Sequence, residues 1–344
     1  MKIAILAPVA WRTPPRKYGP WEQVASNITE RLVDKGYDVT LFATGDSITR
    51  AKLQYSSKKG YEEAKNADPK VEECMHISLL MEQAGKFDII HNHFDFLPLT
   101  YSRLIDTPMV TTIHGFSSPR IIPVYKKYNN NSHYVSISYA DRSPELNYIA
   151  NVYNGINTQN FTLNRSAGDY LLYFGRIHHD KGCREAIEIA LKANKKLIIA
   201  GFIQDEKYFR EQVKPFIDGI QISYVGNANP AERDNLLRGA YVLLHPINFQ
   251  EPFGLSVAES MFCGTPVIAF NKGSMKELIK HGETGFLVDN VREAADVLPR
   301  VSELNRTYCR EWAESRFSLN IMTDEYINVY HKVLEQSQHS STMP

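Results

Sequence analysis

Short apolar runs alternate with amphipathic stretches along almost the whole chain, the pattern of parallel strands buried on both faces by crossover helices. The runs predict strands at 3–7, 39–43, 87–91, 109–114 and 134–138, and a second series at 170–174, 197–200, 222–225, 242–245 and 267–270. Two Rossmann-like, doubly wound α/β domains follow from that alternation. Apolar periodicity lapses over 158–169, where Asn, Ser and Gly collect, so a hinge is expected there, between one domain over 1–160 and another over 166–317. Ile321, Tyr326, Val329, Tyr330 and Val333 recur at helical spacing, which predicts a terminal helix over about 318–335 that leans back on the first domain. The tail 336–344 reads as disordered.

At 344 residues the chain exceeds what one core usually supports, in keeping with two domains. Lys plus Arg and Asp plus Glu each number 39, and no block of like charge marks a nucleic-acid arm or a polybasic membrane tail. Any anion must therefore be gripped locally. Met1 leads straight into an apolar run without a leader pattern, no stretch is long enough to span a bilayer, and Cys74, Cys183, Cys263 and Cys309 lack paired spacing. A cytoplasmic protein with reduced thiols is expected.

The most informative stretch is Glu251-Pro-Phe253-Gly254-Leu255-Ser256-Val-Ala-Glu259, set between a strand and an amphipathic helix. Gly254 permits close backbone approach, and the N–H groups of Gly254, Leu255 and Ser256 would face outward at the positive end of the helix dipole, a seat for phosphate. Glu259, about one turn in, can accept both protons of a ribose diol, and Glu251 can meet sugar hydroxyls. The helix dipole alone also favours Glu near such a terminus. The second constellation, Gly175-Arg176-Ile-His-His-Asp-Lys181-Gly182, follows a strand of the second domain and brings two cations toward one anion, a fork and a mobile point charge. Weak surface pairs with Asp180 are the bland alternative.

In the first domain, Gly19, Pro20 and Trp21 lie on the loop after the first strand, and His114 ends a strand, from where its imidazole can donate to a hydroxyl or to developing charge. A structural role for such a histidine is the competing reading. His91-Asn-His93-Phe-Asp95 offers three metal ligands at period two if its strand runs that far, the start of a metal-dependent hydrolase. No second acid or histidine adjoins them, and no Asp-x-Asp pair occurs, so chemistry without a metal is inferred, with His91, His93 and Trp21 lining an acceptor side. A nicotinamide dehydrogenase would need a Gly-x-Gly-x-x-Gly turn, which neither half contains.

On these residues the chain resembles the retaining glycosyltransferases of family four, with the GT-B fold of two Rossmann-like domains facing across a cleft. The likeness rests on Gly19, His114, the Gly175-Arg176 to Lys181-Gly182 loop and the Glu251 to Glu259 pair, with Gly264-Thr-Pro266, Gly273, Glu277 and Gly282-x-Thr-Gly285 following in order. It implies that Glu259 holds a ribose, that Arg176 and Lys181 hold a diphosphate, that Glu251 orients the transferred sugar, and that Leu255 and Ser256 present N–H groups to phosphate, with Phe253 and Gly226 completing the donor side. His114 would join Arg176, Lys181 and Glu251 in catalysis. The resemblance also implies a hexosyl donor, UDP-glucose before GDP-mannose, an acceptor hydroxyl, and no cofactor or metal. An epimerase or phosphorylase on the same fold is the nearest alternative. One departure stands out: where the family carries paired glycines, Gly19 is followed by Pro20, which has no N–H to offer. The opening from Pro14 to Gly19 is similar to a subgroup linked to glucose donors.

Overall fold

The computed structural model describes residues 1–116 and 118–341, with side chains described through 338. Two compact units divide the chain, Met1–Gly155 together with the segment from Leu319, and Ile156–Ser318. The crossing therefore falls a few residues ahead of the polar stretch expected to carry it.

The first unit holds β1 (Lys2–Leu6), β2 (Asp38–Phe42), β3 (Lys52–Gln54), β4 (Ile89–Asn92), β5 (Met109–Ile113), β6 (His133–Ser136) and β7 (Tyr148–Asn151) in one sheet of order β3-β2-β1-β4-β5-β6-β7. Every neighbouring pair is parallel. Successive residues of β1 point to opposite faces, and both faces are covered. Ile3 and Ile5 pack with Val24, Ile28 and Leu32 of the helix Pro20–Asp34 and with Tyr326, Tyr330 and Val333 of the helix Leu319–Ser341. Ala4 and Leu6 pack on the other side with Ile77, Leu80 and Tyr125. Burial on both faces is why these strands read as unbroken apolar runs.

The second unit repeats the plan with β8 (Tyr170–Phe174), β9 (Lys196–Ala200), β10 (Ile222–Tyr224), β11 (Val242–His245), β12 (Val267–Phe270) and β13 (Gly285–Val288), ordered β10-β9-β8-β11-β12-β13 and parallel throughout. Local signals start its helices: Asn229 and Glu232 form a capping box ahead of the helix Pro230–Gly239. In each sheet the strand order reverses once, between β1 and β4 and between β8 and β11. Loops leaving the carboxyl ends of those strands diverge there, the place where doubly wound sheets bind ligands.

Three strands lie beyond those expected from the sequence: β3, β7 and β13. The tail expected to be disordered from 336 is helical through Ser341; residues 342–344 lie outside the described residues. Among the described residues no helix is long and apolar enough to cross a membrane.

Candidate active site

In the second unit, the loop after β8 is laced to the loop after β9 by Ile177, whose N–H donates to the Phe202 carbonyl at 2.9 Å. It ends at Gly182, which has φ 71 and opens the helix Cys183–Lys192. A Cβ at that glycine would stand 1.8 Å from the Pro246 carbonyl oxygen, so only glycine lets this loop lie against the one after β11. That close approach delivers Lys181 to Glu251, with Nζ 2.6 Å from Oε2. His245, the last residue of β11, places Nε2 3.5 Å from the same oxygen, and the Lys181 ammonium lies 4.4 Å from the centre of the Phe249 ring. Burial alone would raise the Glu251 carboxyl, but the Lys181 charge and His245 outweigh it and hold the group down at about 2. Glu251 is a fixed, buried anion with a cation at its side.

Three positions on, the helix Leu255–Phe262 begins at Gly254, which adopts a left-handed conformation with φ 93, and no side chain caps the helix. The Gly254 carbonyl receives the N–H groups of Val257 and Ala258, which leaves Leu255 and Ser256 without a backbone or side-chain acceptor among the described residues. Those unused donors sit at the positive end of the helix dipole and can hold an anion. Within the same helix Glu259 is buried and accepts from Arg233 Nη1 at 3.0 Å. Burial pushes the Glu259 carboxyl up and the Arg233 guanidinium opposes the rise. A cation, a helix mouth and two carboxylates thus share the carboxyl end of this sheet, equipment for an anion flanked by hydroxyl groups.

Other expected residues stand apart from that group. Arg176 donates through Nη1 to Gln204 Oε1, and its carbonyl accepts from the Tyr173 hydroxyl, so its guanidinium does not join Lys181 at Glu251. Phe253 is a core residue: its ring is buried edge-on to Phe317 with centroids 5.7 Å apart, and its carbonyl takes the Ser274 hydroxyl at 2.6 Å. A direct role for that ring on the donor side is therefore corrected to packing. Gly226 follows β10, and its carbonyl accepts from Gly201 N–H at 2.8 Å.

In the first unit, Gly19 precedes the helix Pro20–Asp34 with φ 148, and a Cβ there would press on Pro15 at 2.8 Å. Trp21 in the first turn stacks on His114, centroids 5.5 Å apart and planes 21° from parallel. His114 Nε2 in turn lies 2.9 Å from His93 Nδ1, and the His93 ring packs 4.0 Å from that of His91. Both nitrogens of His91 are used inside the protein, by the Tyr330 hydroxyl at 2.6 Å and the Thr112 hydroxyl at 2.7 Å. His91 and His93 are fully buried, so the acceptor-side placement expected for them is corrected: they stand behind His114, beneath the surface. The metal-hydrolase reading fails on the same observations. β4 stops at Asn92, Asp95 turns away with φ 88, and its carboxylate is taken by the Tyr125 hydroxyl. Among the described residues, His178, His179 and Asp205 are the group whose ligand atoms lie within 4.8 Å of one another, and none of the three belongs to that earlier set.

The family model for glycosyl transferases group 1 matches residues 157–315, and the model for glycosyltransferase family 4 matches residues 21–159. The chain is a GT-B glycosyltransferase of the family-four type. An uncharacterised glycosyltransferase of Methanocaldococcus jannaschii is 26% identical to it over 339 residues, covering 84% of this chain and 85% of that protein. Among solved structures, AviGT4, a glycosyltransferase involved in avilamycin A biosynthesis, superposes with a TM-score of 0.73 at 20% identity over 97% of this chain and 98% of that one. The Anabaena protein HepE in complex with UDP-glucose gives a TM-score of 0.72 at 18% identity, covering 96% of this chain and all of the other, at 100%. Neither the hydrolase nor the epimerase or phosphorylase alternative is favoured by these matches.

Three residues of this glycosyltransferase were not singled out from sequence. Arg233 lies on another helix, 26 positions before Glu259, and only the fold pairs them. His245 ended an expected strand and carried no motif. Glu22 is buried at 3% exposure behind Gly19, accepting from Trp11 N–H at 3.2 Å, and burial lifts its carboxyl to about 7.

Proposed function

We propose that this glycosyltransferase moves a hexosyl group from a nucleoside diphosphate sugar to an acceptor hydroxyl, keeping the anomeric configuration and using no metal ion. The observation that carries the reading is the Lys181–Glu251 pair set beside the uncapped start of the helix Leu255–Phe262. Lys181 and the N–H groups of Leu255 and Ser256 take the diphosphate, and Arg176 adds its fork when a phosphate replaces Gln204 as partner. Glu259, held by Arg233, accepts from the ribose diol. Glu251, kept ionised by its neighbours, accepts from hydroxyls of the hexose and opposes the positive charge that builds on its ring. As the glycosidic bond breaks, the departing phosphate oxygen takes the proton of the incoming hydroxyl on the same face, so no protein nucleophile is required. His114 and Trp21, stacked on each other in the first unit, are assigned to sugar and acceptor hydroxyls.

UDP-glucose is the first donor to try, supported by the HepE complex, and GDP-mannose the second. The four free cysteines support a reducing, cytoplasmic setting. Thermal stabilisation by UDP and GDP ranks the bases, since a nucleotide at a hundred times its dissociation constant adds about 2.7 kcal/mol. Proton NMR of the glycoside formed then reads the anomer: retention supports the account, and an inverted product overturns it.

A further inference from the structure

The three histidines packed in series in the first unit determine what His114 can offer a ligand. His93 Nδ1 and His114 Nε2 face each other at 2.9 Å, so one of them carries the proton between them. Burial lowers both rings far below the ordinary histidine range, to about 3 for His114, so both are neutral and each holds a single N–H. Two arrangements satisfy that count. If His114 donated, the proton of His93 would sit on Nε2, which is buried and has no hydrogen-bond partner among the described residues. An orphaned buried N–H is the costlier defect; an unused lone pair is more readily tolerated. His93 therefore donates from Nδ1, His114 accepts at Nε2, and the proton of His114 is left on Nδ1.

The His93 ring is fixed for this task from behind. Its neighbour His91 is held by Tyr330, and by Thr112, whose hydroxyl also bonds the Tyr326 hydroxyl at 2.7 Å; both tyrosines belong to the helix Leu319–Ser341. Trp21 closes the far face of His114. His114 keeps 7% exposure where His91 and His93 have none, and its Nδ1 is bonded to nothing else among the described residues.

We propose that His93 is a positioning residue that locks His114 as the Nδ1–H tautomer, making His114 a neutral hydrogen-bond donor to an uncharged ligand oxygen, the chemistry of a sugar hydroxyl. The ligand class rests on the transferase reading above; the tautomer does not. His114 then acts by orienting its ligand.

The test is a long-range proton–nitrogen NMR spectrum of the full chain with labelled histidine and no ligand, in which the His114 ring is identified by its loss in His114→Gln. The expected spectrum shows a protonated Nδ1 and a bare Nε2; the reverse overturns the proposal whatever the enzyme transfers. His93→Asn keeps an N–H near the position of Nδ1, so the tautomer persists and kcat/KM stays within about twofold. His93→Leu removes the donor, the His114 signals shift to a mixture of tautomers, and kcat/KM falls roughly fivefold to tenfold, the worth of one hydrogen bond. Equal kcat/KM losses in both variants would mean that His93 merely fills space. Should His93→Leu fail to fold, the wild-type spectrum and His93→Asn decide the matter.

Discussion

Replacing Lys181 with methionine removes the ammonium 2.6 Å from Glu251 and leaves a carboxylate of 8% exposure with His245 as its neighbour. Burial works to raise the Glu251 carboxyl, yet its partners hold it at about 2 against an ordinary 4.5. That depression is worth ~3 kcal/mol at neutral pH. Because the folded value lies below the unfolded one, the contribution is full above pH 4.5 and is lost as pH falls from 4.5 toward 2. Lys181→Met should therefore destabilise the second unit by ~3 kcal/mol at pH 7, as expected when a buried ion pair loses one member, and by progressively less below pH 4.5. Adding Glu251→Gln should restore most of the loss, since an amide pays a smaller desolvation cost than an unpaired anion. Urea unfolding can isolate this unit. Of the three tryptophans, Trp312 alone lies in it, bonded to the Leu278 carbonyl at 2.7 Å, so its fluorescence in a Trp11→Phe/Trp21→Phe background reports on it. A Lys181→Met protein within about 0.5 kcal/mol of its parent at pH 7 would refute the reasoning, as would a loss of equal size at every pH.

Glu22→Gln should act with the opposite sign of pH dependence. Burial raises this carboxyl to about 7, so its ionisation penalises the fold increasingly from pH 4.5 to 7; the variant should gain ~2–3 kcal/mol at pH 8 and nothing at pH 4, by denaturant titration. Gly182→Ala forces a Cβ to 1.8 Å from the Pro246 carbonyl at φ 71, and should cost at least ~2 kcal/mol together with most turnover, because Lys181 is carried on the displaced loop. Chelator-treated enzyme should transfer sugar at the untreated rate; activity lost to the chelator and restored by a divalent ion would contradict the metal-free mechanism.

Much of the architecture was legible because parallel strands covered on both faces leave unbroken apolar runs, as β1 with Ile3, Ala4, Ile5 and Leu6 all buried. Two of the three strands that escaped notice, β3 and β7, lack that mark. β3 is three residues long and half-exposed at the sheet edge, and β7 at the other edge is nowhere fully buried. Lys181, Glu251 and Glu259 were visible because strand ends and a glycine before a helix announce where backbone donors and charges collect. The histidines misled because period two was carried past the end of β4, and spacing alone does not say which face of a strand is covered by a distant helix. Arg233 opposite Glu259 and Gln204 beside Arg176 are products of topology, joining residues 26 and 28 positions apart with no local pattern between them.

A crystal structure of the enzyme with bound UDP tests the central claim most directly. The account predicts diphosphate oxygens within hydrogen-bond reach of Lys181 and of the Leu255 and Ser256 N–H groups, with the ribose hydroxyls on Glu259. A nucleotide seated away from the start of the helix Leu255–Phe262, with Lys181 still closed on Glu251, would contradict it.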